Sequence, residues 1–196
     1  MRRFTCLLAL NCAAMLSGSA AFGQAAQQNQ APRPAQSASA EMLRAWNGTH
    51  NKIIGMAKDF PEDKFDFKVQ KDQRTFAENL LHIAGTDYEF LSAIAGKKMG
   101  PELRNQENPP RDVYKTRADI VKFLQQVTDD GAALLKQMGD AGLNKEIKSP
   151  FGNAMIHVAY AWTDDIEHDG EHYGQLVVYY RANNLVPPES RGQSGQ

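Results

Sequence analysis

The sequence predicts an all-α protein, a four-helix bundle with long connecting loops. Three observations lead there. Four segments of 19 to about 30 residues repeat apolar side chains at spacings of three and four, the period of a helix with one buried face. No stretch shows the two-residue alternation of a half-buried strand. Glycine or proline stands close after each segment, where a helix must stop.

Residues 40–58 form the first segment, with Leu43, Trp46, His50, Ile53, Ile54 and Ala57 on one side and Pro61 beyond its end. The second, 73–95, carries Phe76, Leu80, Ala84, Leu91 and Ile94, and Gly96 follows as a left-handed cap. Residues 97–114 hold Gly100, Pro101, Pro109 and Pro110 and predict a connector. The third segment, 116–138, repeats Ile120, Leu124, Val127, Leu134 and Leu135 and ends at Gly139. The fourth starts after Pro150-Phe151-Gly152 and runs to about Asn183, with Pro187 and Pro188 barring continuation.

The chain's start reads as an export signal. Arg2 and Arg3 precede an apolar run over residues 4–16, then small residues and Ala21-Phe22-Gly23, so cleavage is expected after residue 23. The run is shorter than the roughly 20 apolar residues of a spanning helix, and Asn11 interrupts it. A periplasmic or secreted protein, with no membrane contact after cleavage, is the expectation. Residues 24–39, rich in Gln, Ala, Pro and Ser, predict a tether; the domain spans 40–188, and 189–196 reads as a tail.

Composition excludes several chemistries. Cys6 and Cys12 are the only cysteines, so the cleaved chain has no disulfide, thiol nucleophile or thiolate metal site. With 22 basic against 23 acidic residues, the chain lacks the positive field that a nucleic acid requires. No glycine-rich phosphate loop follows a strand.

The fourth segment is the unusual one. At 100° per residue, His157, Ala161, Asp164, His168, His172, Gln175 and Tyr179 fall on one seam. His168 and His172, one turn apart, are spaced to share a metal ion, although such pairs also occur as two exposed histidines. A third ligand would come from His50, His82 or His157. His157 lies three turns from His168, about 16 Å along the axis, which is too far. His50 sits in an apolar stripe and reads as a core or pocket histidine. Periodicity alone places His82 opposite its helix's stripe, beside Thr75, Glu78, Thr86 and Glu89, and so exposed.

The runs Thr75-Phe76-Ala77-Glu78-Asn79-Leu80-Leu81-His82-Ile83-Ala84 and His168-Asp169-Gly170-Glu171-His172-Tyr173-Gly174-Gln175-Leu176 resemble the two signatures of the DinB-like family, which includes the YfiT-type metal-dependent hydrolases. The likeness extends over residues 40–188, including the ending at 181–188. It implies an up-down-down-up four-helix bundle and a divalent metal held by one histidine of the second helix and two of the fourth. Those positions are His82, His168 and His172. It further implies members that use low-molecular-weight thiols, a branch that export disfavours, and a homodimer paired along helices.

Three neutral imidazoles leave an ion its full charge and an open position, the arrangement of a catalytic centre. Zinc and nickel suit such ligands best, and iron or manganese fit too. Asp164, one turn before His168, and Glu78, one turn before His82, are the candidate proton shuttles or ring-orienting groups. Tyr173 and Tyr179 read as pocket or packing residues, and Gly174 and Gln175 as packing. The function expected is a metal-dependent hydrolase or transferase acting on a small molecule; the alternative is a non-catalytic metal-binding or scaffold bundle.

Overall fold

The computed structural model describes residues 34–192. The expected signal segment, most of the expected tether and the last four residues lie outside them.

Three of the four helices begin where a side chain accepts from their free N–H groups. Ser37 caps α1 (Ala38–Asp59), which stops at Phe60 ahead of Pro61. Thr75 and Glu78 form a reciprocal capping box on α2 (Phe76–Ala95), and Gly96 closes it at φ 65°. Thr116 and Asp119 repeat the device on α3 (Arg117–Leu143). The fourth helix, α4 (Val158–Ala182), follows a short hairpin.

That hairpin corrects the expectation of no strands. β1 (Glu146–Lys148) pairs antiparallel with β2 (Met155–His157), Ile147 facing Ile156 in register. Three residues are too few to declare a period of two, which is why the pattern was invisible. The loop between them seats Phe151 edge-on against Phe90 of α2. A second correction follows from the first: α4 starts at Val158, not directly after Gly152, and His157 is its cap rather than a member of its seam. A third concerns Gly139, where φ 55° and ψ −168° break α3 without ending it; one further turn reaches Leu143. Within the expected tail, Pro188–Ser190 form a 3-10 turn and Arg191 pairs with Asp59.

Cross-helix bonds fix the directions. Ser39 at the start of α1 bonds Asp140 near the end of α3, while Arg117 at the start of α3 bonds the carbonyl of Lys58, so these two run antiparallel. Trp46 meets Trp162, and Met56 accepts from Tyr180, so α1 and α4 run parallel. Arg74, just before α2, accepts from Tyr179 near the end of α4, so these two oppose. The result is up-down-down-up, with α1 between α3 and α4, and α2 between the same two on the opposite side.

Two aromatic groups fill the centre. Trp46 is fully buried, donates from Nε1 to the carbonyl of Thr128 at 2.9 Å and meets the Trp162 ring nearly at right angles. Nearer the other end, Phe60 stacks on Phe76 at 3.9 Å between centroids, with Phe65 and Tyr180 beside them. Rings packed edge-to-face and offset contribute beyond their buried area.

Candidate metal centre

His82, His168 and His172 come together where α2 and α4 face each other. One ring nitrogen from each lies within 4.8 Å of the others, and ring centroids stand 4.5 to 5.2 Å apart.

The hydrogen bonds decide which nitrogens point inward. His82 Nδ1 is 2.9 Å from the carbonyl oxygen of Glu107, which can only accept, so Nδ1 carries the hydrogen and Nε2 keeps its lone pair. His172 Nδ1 donates in the same way to Oδ1 of Asn79 at 2.9 Å. Anchoring the far nitrogen in this manner is how proteins aim metal-ligating imidazoles. The Nε2 atoms of His82 and His168 are 3.3 Å apart. Two nitrogens at about 2.0–2.1 Å from one tetrahedral ion would be separated by about 3.3 Å.

Electrostatics disfavours the charged form of two of these rings. Burial, reinforced by the neighbouring His168 and His82, pulls His172 down to about 3, and burial lowers His82 as well. Neutral imidazole is the form that binds metal.

His82 is 6% exposed, against the expectation from periodicity. The reason is the connector after α2, which lies on what the helical wheel marks as the polar face. It contacts α2 at Gly85, where a side chain would strike Gln106 and Pro109. Arg74 fastens the same stretch through Nε and Nη2 to Asn108, at 3.2 and 2.9 Å.

The two candidate shuttles differ in their surroundings. Glu78 spends its carboxylate on the capping box, accepting from the Thr75 backbone at 2.7 Å. Asp164 lies half-buried, while its neighbour Asp165 has a carboxylate oxygen within 4.8 Å of His168 and Asp169. His157 is exposed, with Nδ1 3.3 Å from the carbonyl of Asn144. Gln175 and Gly174, expected to pack, are exposed. Gln175 lines a cleft of about 580 Å³ with Arg74, Asn79 and Tyr179. Asn79 is shared between cleft and histidines. Tyr179 also packs on Phe76, and Tyr173 lies beneath the Lys52 ammonium.

Behind the histidines lies His50 with three acids that sequence reasoning passed over. His50, Asp87, Asp165 and Asp169 are all fully buried. The available signal was an acid inside an apolar stripe: Asp87 stands three residues after Ala84 and four before Leu91. Asp165 and Asp169 sit one turn apart on the buried side of α4, between Ala161 and Leu176. His50 takes the inward place expected of it.

The DinB superfamily model matches residues 21–176, most of the chain. The chain belongs to the DinB superfamily. Solved structures agree on the fold. A DinB-like protein from Bacillus cereus is 18% identical, with a TM-score of 0.64 over 75% of this chain and 93% of its own. The DinB-like protein YjoA from Bacillus subtilis is 16% identical, with a TM-score of 0.56 over 74% of this chain and 94% of its own. YfiT from Bacillus subtilis, described as a probable metal-dependent hydrolase with an unusual four-helix bundle topology, is 13% identical, with a TM-score of 0.56 over 80% of this chain and 94% of its own. Among curated proteins, none matches. In this superfamily context, the three-histidine group is a set of residues that could hold a metal.

Proposed function

We propose that His82, His168 and His172 hold a divalent ion, zinc or nickel first, and that the protein is a metal-dependent hydrolase or transferase for a small molecule. The observation that carries this reading is the shared aim of the rings. Two have Nδ1 committed to a carbonyl or amide oxygen, which leaves Nε2 free to ligate, and Nε2 of His82 faces Nε2 of His168. A bound ion would supply a Lewis acid and lower the pKa of a coordinated water or thiol.

The chain's own groups would do the rest. Asn79 and the Glu107 carbonyl hold two rings in one tautomer. The cleft that shares Asn79 with them would admit a small molecule, and Arg74 supplies a positive charge on its wall. Access of this kind favours catalysis over a closed structural site. The group offers three imidazoles, leaving a coordination position for substrate or water. Export to the periplasm or medium, a homodimer, and Asp164 as proton shuttle belong to the same proposal.

Metal analysis of the purified protein beside His82→Ala and His172→Ala tests it. An ion present in the parent and lost in both variants is the expected result, followed by ion-dependent turnover of ester, amide or thiol-transfer substrates. A parent that stays free of metal after incubation with zinc, nickel and manganese overturns the reading.

A further inference from the structure

We infer that a second cation site lies inside the bundle, formed by Asp87, Asp165 and Asp169 with His50, and suited to a hard divalent ion of the manganese or iron(II) class. All four side chains are fully buried. Ligand atoms of His50, Asp87 and Asp169 lie within 4.8 Å of one another, and Asp165 meets Asp169, and also His168, within the same limit.

The hydrogen bonds do not close without a positive partner. Nδ1 of His50 is 3.1 Å from the carbonyl oxygen of Trp46 and therefore carries the hydrogen. Its Nε2 then presents a lone pair to Oδ2 of Asp87, also 3.1 Å away, so two acceptors face each other. Among the described residues, no donor reaches Oδ1 of Asp87 or either oxygen of Asp165 and Asp169. A buried carboxylate without a donor is costly, and three together demand protons or a cation.

His50 is oriented in the manner of His82 and His172, its Nδ1 tied to a carbonyl so that Nε2 is free to ligate. A donor set of three carboxylates and one imidazole is harder than three imidazoles, which is why this site would select a different metal class. Asp169 lies between the two groups, Oδ2 3.6 Å from His50 Nδ1 and Oδ1 3.7 Å from His168 Nδ1. The inference does not depend on the three-histidine site binding anything.

The test is metal stoichiometry and crystallography on the full protein refolded with manganese, with Asp165→Asn, Asp87→Asn and His82→Ala beside the parent. The expected results are an anomalous peak among the four side chains, manganese retained by His82→Ala, and manganese lost by both Asp→Asn variants. Those two variants should melt at lower temperature with unchanged helix content. If protons alone satisfy the acids, an amide replaces a neutral acid at little cost. Both variants then melt at or above the parent temperature, and no peak is seen; either result overturns the proposal. Loss of metal in His82→Ala, together with an absent inner peak, would leave the three-histidine reading intact and end this one.

Discussion

Gly85 and Gln106 meet so closely that a Cβ on the glycine would stand 2.2 Å from the Gln106 carbonyl oxygen. This contact lets the connector lie flat on α2 and bring the Glu107 carbonyl to His82. A Gly85→Ala chain must lift the connector, at about 1–3 kcal/mol of overpacking. It should keep its helices, lose metal affinity and show faster hydrogen exchange over residues 105–109. Unchanged affinity would mean that the carbonyl does not aim the ring.

Asn79 is nearly buried and gives His172 its orienting acceptor. Replacing such a partner typically lowers metal affinity about 10–100-fold. Asn79→Leu is expected to fall in that range by competition with a chromophoric chelator, whereas Asn79→Asp, which retains the acceptor, should hold or raise affinity.

In the core, a Cβ on Gly131 would stand 2.4 Å from Cζ2 of the Trp46 ring. The ring cannot retreat, because its Nε1 is bonded to the Thr128 carbonyl and it packs nearly at right angles against Trp162. Gly131→Ala should cost about 1–3 kcal/mol, read as a lower Cm in urea with the m-value unchanged.

The Arg191 guanidinium, assisted by the Tyr180 hydroxyl, holds the Asp59 carboxyl below its usual range. A depressed carboxylate adds stability that is present above the unfolded-state value, about 3.9, and fades as pH falls through the lower folded value. Arg191→Ala should therefore melt below the parent at pH 6, with the difference shrinking at pH 3. An equal difference at both would show that the arginine acts through packing alone.

The helices were legible because each carries its own evidence, a buried stripe and a breaker, joined in the first three by a capping side chain. The three-residue strands were not, since their pairing depends on partners across a loop rather than on local pattern. His168 and His172 could be read from spacing, being on one helix. His82 could not be read from periodicity, because its burial is imposed by a proline-containing segment 25 residues away. Asp87, Asp165 and Asp169 were visible in principle as acids within apolar stripes. A wheel centred on the histidine seam directed attention one position aside, to Asp164.

The antiparallel meeting of α2 and α4 has a consequence for the order of events during synthesis. His82 and His168 are 86 residues apart. A nascent chain that has emerged through α3 presents a single imidazole of the trio on an incomplete bundle. Chelation by all three histidines must await the final helix, so any stop or frameshift before His168 yields a product that cannot assemble the trio. Loading of that site would thus report that the last helix has arrived, making ion uptake a built-in signal of a finished chain.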